Sequence, residues 1–126
     1  MFLLDTCAFL YWLEDNDHLS KKAKSIIESN EYLFLSQTTL WEIAVKKTIG
    51  KLKLSKNTFE LEDVCNEAGI EIIPIKNKYF ETIQNLPYIH GDPFDRLIMA
   101  TAVEEQLQLL TDDEIIKKYP SIDVIW

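Results

Sequence analysis

The chain opens on Met1-Phe2-Leu3-Leu4-Asp5, a short apolar run without alternation that stops at a carboxylate. A strand with one wet face alternates polar and apolar residues, whereas one that is apolar at every position is covered on both faces. Residues 2–5 are therefore expected to form a buried strand ending in an acid. Further strands are expected at 32–35, 70–75, 109–111 and 122–126. Helices are expected at about 8–14, 20–29, 39–49, 58–68, 77–84, 92–105 and, briefly, 114–118. Ser20 is a candidate N-cap for the second of these, with Ala23, Ile26 and Ile27 at helical spacing. Gly50 and Gly69 supply stops for the third and fourth. Ser36-Gln37-Thr38-Thr39 reads as punctuation before a helix, and Leu86 to Gly91 as a loop. Strands separated by helices point to a mostly parallel sheet flanked by helices, in a single domain over residues 1–126.

Size agrees, because 126 residues have room for one domain and hardly more. No apolar run approaches the roughly 18 residues that suggest a membrane span. The N-terminus carries no basic stretch and no longer apolar segment, so no secretory signal is expected. Cys7 and Cys65 lie far apart without metal-ligand spacing, which favours reduced thiols and a cytoplasmic location. The net charge of −8 argues against simple electrostatic adhesion to nucleic acid. Acids gathered in one pocket are nevertheless masked once a metal binds, so their placement matters more than their sum.

In open parallel sheets, ligands bind beyond the carboxyl ends of the strands, where the strand order reverses. Asp5 ends the first strand, and Asp112 and Asp113 follow the fourth in Leu109-Leu110-Thr111-Asp112-Asp113. Glu42 is expected in the first turn of its helix, and Asp92 and Asp95 open another. If the two strands are central neighbours, these acids share one edge of the sheet. Like charges so close repel and raise some of their own pKa values unless cations intervene. Oxygen ligation of this kind suits Mg²⁺ or Mn²⁺. Two such ions about 3.5–4 Å apart can activate water and stabilise the departing oxygen of an in-line phosphoryl displacement.

Each acid also has a simpler role open to it. Asp5 can cap the helix that follows, and Glu42 can pair with Lys46 four residues on. Asp92-Pro93-Phe94-Asp95 is a good helix start by itself, and Thr111 to Glu114 scores as a capping box. The joint placement carries the weight, not any single acid.

Taken together, four segments resemble the PIN domain family, in particular the single-domain ribonuclease toxins of bacterial VapBC-type toxin–antitoxin pairs. Leu3-Leu4-Asp5-Thr6 resembles the opening strand and first metal acid. Ser36 to Leu52, with Trp41-Glu42 and the ending Gly50-Lys51-Leu52, resembles the helix bearing the second. His90-Gly91-Asp92-Pro93-Phe94-Asp95-Arg96 to Ala100 resembles the most specific segment, and Leu110-Thr111-Asp112-Asp113 the strand end supplying the last acid. Gly91 stands where that family often has a charged residue. The resemblance implies a PIN-like three-layer α/β/α sandwich around a mostly parallel sheet of about five strands. It further implies a Mg²⁺- or Mn²⁺-dependent endoribonuclease with Asp5, Glu42, Asp95 and Asp113 as metal-binding and water-activating residues. Asp92 and Asp112 would be further candidate metal acids, and Thr6 and Thr111 would support the carboxylates. The partners implied are an RNA substrate, a cognate antitoxin that fills the groove, and a second copy of the chain in a homodimer.

Other residues receive smaller expectations. Arg96, the only arginine, could contact a phosphate or pair with Asp92 or Glu114. Lys46, Lys47, Lys51 and Lys53 form the only dense basic stretch, either tracking an RNA backbone or forming a solvated face. His90 reads as a loop hydrogen-bonder and not as a general base. Trp12, Trp41 and Trp126 read as core or interface anchors. A phospho-acceptor receiver module would share the length, the sheet and an acidic pocket. It would also need paired acids after the first strand, where this chain has Asp5-Thr6, and a lysine after the last strand, where it has Trp126. A non-catalytic RNA-binding relative is the third reading.

Overall fold

The computed structural model describes residues 1–29 and 31–126. Its strands are β1 (Phe2–Leu4), β2 (Leu33–Ser36), β3 (Ile70–Ile73), β4 (Gln108–Leu110) and β5 (Val124–Ile125). Its helices are α1 (Thr6–Leu13), α2 (Lys21–Glu28), α3 (Gln37–Thr48), α4 (Thr58–Ala68), α5 (Asn77–Asn85) and α6 (Pro93–Glu105), with a 3₁₀ turn at Ile116–Lys118. The strands form one sheet in the order β3-β2-β1-β4-β5, and every pairing is parallel. The chain first steps outward from β1 through β2 to β3, then returns to the other side of β1 to lay down β4 and β5. The order therefore reverses between β1 and β4, which pair directly with Leu4 opposite Leu110. That reversal opens a crevice beyond their carboxyl ends.

The unbroken apolar strands are explained by what covers them. Successive side chains of a strand point to opposite faces. Leu3 and Leu109 join the core formed by Tyr79 of α5 and by Leu97, Ile98 and Met99 of α6. Leu4, Leu35 and Leu110 face the other way, into the core formed by Phe9, Ala23, Ile27, Ile43, Leu61 and Cys65 of α1 to α4. Two helices on one face and four on the other make the α/β/α sandwich.

Several boundaries depart from the sequence expectation, each for a local reason. Helix α3 starts at Gln37, two residues early, because the Ser36 side chain accepts from Thr38 N and caps it directly from the strand. Glu42 consequently lies in the second turn of α3, not the first. Strand β3 stops at Ile73, since Pro74 cannot donate to a ladder. The last strand contracts to two residues, and the short helix before it is only a 3₁₀ turn. Ser20 caps α2 through Ala23 N, as its spacing suggested. Gly69 ends α4 at φ +74°, a left-handed conformation that favours glycine.

Candidate functional site

The crevice between β1 and β4 gathers the acids from four parts of the chain. Asp5 follows β1 directly, is only 4% exposed, and caps α1 by accepting from Ala8 N at 2.7 Å. Its carboxyl is pushed up to about 6, mainly by burial and further by the charges of Asp112 and Asp113. Hydrogen bonds from the Thr111 hydroxyl and Ala8 N pull the other way without prevailing. The Thr111 oxygen also accepts from Asp113 N at 3.1 Å. The backbone ties the end of β1 to the end of β4, with Asp5 N donating to Leu110 O at 3.1 Å.

Glu42 is buried on α3 beside α1. Thr6 Oγ1 donates to its Oε1 at 2.7 Å and lies 3.0 Å from Thr39 Oγ1. Lys46 Nζ donates to Oε2 at 2.5 Å, one helical turn along. Burial disfavours the Lys46 charge, yet the bond to Glu42 outweighs it and raises the lysine pKa. The i,i+4 pair therefore forms, and it forms at a buried acid on the site's edge.

The start of α6 supplies the third cluster. Asp92 Oδ1 accepts from Asp95 N at 3.0 Å, so Asp92 is the N-cap, with Pro93 in the first turn. His90 is buried, with Nε2 3.0 Å from Asp95 Oδ2 and 3.0 Å from Asp113 Oδ2. Its Nδ1 accepts from Asp92 N at 3.2 Å. Among the described residues, His90, Asp95 and Asp113 are the group whose ligand atoms all lie within 4.8 Å of one another. Asp95 is raised above the ordinary carboxylate range, first by burial, then by the charges of Asp92 and Glu42, with His90 opposing and Asp5 adding. Asp113 goes the other way. Burial pushes its carboxyl up, but His90 and the backbone N–H groups of Ile115 and Ile116 overcome that and lower it.

Contact and field must therefore be separated. Asp95 and Asp113 meet through His90. Asp5 and Glu42 face them by charge without sharing a ligand-distance cluster. Cys7, exposed on α1, registers the same field: partial burial and then Asp5, Asp95 and Glu42 push its thiol up to about 12. A surplus of buried negative charge, opposed locally by Lys46 and by the hydrogen bonds of a histidine, is a donor set that a hard divalent cation would relieve. The residues present fit such an ion.

His90 hydrogen-bonds within its loop, as expected, and also reaches two of the acids, a contact its position in the sequence did not announce. The spacing His90-Gly91-Asp92 lets Asp92 N reach back to the ring. Arg96 requires a correction. It is 8% exposed, and its guanidinium donates to the carbonyls of Ile83, Leu86, Pro87 and His90 and to Tyr119 Oη. It is neither open to a phosphate nor paired with Asp92 or Glu114. Lys47 Nζ donates to Lys56 O, and Lys51 and Lys53 are exposed. Trp12 and Trp126 pack against the α1–α4 core, whereas Trp41 is 49% exposed and meets Phe94 edge-on at 4.6 Å.

Comparison with known proteins adds three findings. The family model described as PIN domain matches residues 2–122. Ribonuclease VapC22 of Mycobacterium tuberculosis is 27% identical over 128 residues, covering 98% of this chain and 97% of that protein. Among solved structures, VapBC2 of Rickettsia felis bound to a promoter DNA fragment matches with a TM-score of 0.73 at 18% identity, covering 98% of this chain and 96% of that one. FitAcB of Neisseria gonorrhoeae matches with a TM-score of 0.68 at 19% identity, covering 100% and 97%.

Proposed function

This chain belongs to the PIN domain family, and from that membership we propose that it is a divalent-metal-dependent endoribonuclease, the toxin of a toxin–antitoxin pair. The observation that carries the reading is the meeting of Asp95 and Asp113 at His90, with Asp5 and Glu42 facing them across the β1–β4 crevice. Asp5, Glu42, Asp95 and Asp113 would hold the ion, with Asp92 and Asp112 beside them. Bound Mg²⁺ or Mn²⁺ supplies Lewis acidity and a lowered pKa for water.

The rest is the chain's own work. Thr6 orients Glu42 through its hydroxyl, and the bond from Asp5 N to Leu110 O holds Asp5 at the end of β4. Asp92 fixes the backbone under Asp95, so that this carboxylate projects from a rigid first turn. Buried and facing like charges, Asp5 and Asp95 retain protons more readily than free carboxylates while no cation is bound, so binding of the ion would release protons from them. Lys46 balances Glu42, and exposed Lys51 beyond the end of α3, with Lys47 on the helix, are the candidates to follow an RNA backbone. Cleavage would leave a 5′-phosphate and a 3′-hydroxyl.

The likeness to VapBC2 supports a toxin acting with a cognate antitoxin; the single domain, the homodimer and the cytoplasmic location are part of the proposal and follow from the family resemblance alone. No helix among the described residues is long and apolar enough to cross a membrane. A groove of about 400 Å³ along α3, lined by Gln37, Leu40, Trp41, Ala44, Thr58 and Ile75, is a candidate seat for an antitoxin segment.

Incubation with single-stranded RNA and Mg²⁺ tests the reading. Cleavage that chelator stops and Asp95→Asn abolishes, with the circular dichroism spectrum unchanged, is the expected result. RNA retention without turnover in the wild type would instead favour a non-catalytic binder.

A further inference from the structure

His90 sits at the centre of the acid cluster, and its geometry specifies how. A neutral imidazole has one nitrogen that donates and one that accepts. Asp92 N donates to Nδ1 at 3.2 Å, so Nδ1 is the acceptor and the proton resides on Nε2. That N–H points at two carboxylate oxygens, Asp95 Oδ2 and Asp113 Oδ2, each 3.0 Å away. The two acids come from segments 18 positions apart, the start of α6 and the end of β4, and no backbone pairing links those two termini.

The loop that carries His90 is held with unusual thoroughness. Tyr119, 1% exposed, accepts from His90 N at 2.7 Å and Ile89 N at 3.1 Å through Oη, and donates to Pro87 O at 2.7 Å. Arg96, one residue after Asp95, holds the carbonyls of Pro87 and His90 from beneath. Ring and backbone are thus both fixed, and the side chain is only 10% exposed.

We propose that His90 is a positioning residue that, as the Nε2–H tautomer, ties Asp95 to Asp113 and sets their separation for the cation without itself binding it. This rests on the metal-dependent reading above. A nitrogen that already carries a hydrogen has no lone pair for a metal, so the bond to Asp92 N excludes Nε2 as a ligand as long as it persists. Each carboxylate keeps lone pairs free for the ion while one oxygen is anchored. Partners of this kind, one step removed from a metal, typically contribute 10–100-fold in metal affinity.

The test combines two measurements on the full-length protein. In the metal-free state, ¹⁵N chemical shifts of the His90 ring should report a protonated Nε2 and a bare Nδ1. The opposite tautomer would overturn the proposal. Mn²⁺ titrated calorimetrically into wild type, His90→Gln and His90→Leu should bind about 10–100-fold more weakly to the leucine variant, with glutamine, a neutral donor of similar reach, recovering most of the loss. Pulsed electron paramagnetic resonance of the Mn²⁺-loaded wild type should show no directly coordinated nitrogen. Equal affinity in the leucine variant, or strong nitrogen coupling, would overturn the role of His90 while leaving the nuclease reading intact. A wild type that binds no Mn²⁺ would overturn both.

Discussion

At the scale of single residues, Asp5 illustrates a conflict between stability and chemistry. Its carboxylate caps α1 and is buried, and burial raises its pKa from 3.8 to about 6. Holding it ionised at neutral pH without a cation therefore costs stability, by up to about 3 kcal/mol for a shift of this size. Asparagine keeps a capping oxygen for Ala8 N and carries no charge. Asp5→Asn should abolish RNA cleavage and yet raise the metal-free melting temperature near pH 7.5. An active variant, or one markedly less stable in chelator, would contradict this. The sequence showed Asp5 as either cap or ligand, and the structure makes it a cap whose carboxyl faces other acids. What the sequence could not convey was the company each residue keeps: that Arg96 turns inward to carbonyls depends on the path of residues 83–90, which has no local periodicity to read.

Among the elements, α6 and the loop before it form one unit. Residues 96 to 102 of α6 are all buried, so the helix is enclosed by sheet and neighbours and cannot shift without disturbing the core. Arg96 extends that rigidity to the loop by satisfying carbonyls at Ile83, Leu86, Pro87 and His90. Replacing it with methionine preserves the apolar stem but leaves several buried acceptors without a donor, each costing about 1–3 kcal/mol. Arg96→Met should lower the urea midpoint by an amount equivalent to at least about 2 kcal/mol, and weaken cleavage because His90 loses its anchor. An unchanged midpoint would refute the structural role. The helices and strands themselves were largely legible, since apolar runs, Ser20, Gly69 and Asp92-Pro93 are local signals. Boundaries moved where one side chain decided them, as Ser36 does at α3. The 3₁₀ turn and the two-residue β5 escaped because their lengths are set by packing at the edge of the sheet.

For the whole molecule, titration and topology are linked. Asp5 binds its proton more tightly folded than unfolded, so the stability it contributes is full below about pH 4 and is lost as pH rises through about 6. Glu105 behaves oppositely. Tyr79 and Lys78 hold its carboxyl down at about 2, against burial and with help from Lys76, so its contribution is present above about pH 4.5 and lost toward pH 2. Metal-free protein should accordingly be most stable near pH 5, and added Mg²⁺ should raise the melting temperature more near pH 7.5 than near pH 5. Scanning calorimetry across that range checks both. The sheet order was legible only in outline. Parallel strands were implied by unbroken apolar runs, but the reversal that sets β4 beside β1 is a long-range choice no segment announces. On that adjacency rests the central claim, that carboxylates from distant segments share one divalent cation. Anomalous diffraction from a Mn²⁺-loaded crystal tests it most directly. The account predicts a peak within coordination distance of Asp5, Glu42, Asp95 and Asp113 oxygens at the β1–β4 crevice; a peak elsewhere, or an empty crevice at saturating Mn²⁺, would contradict it.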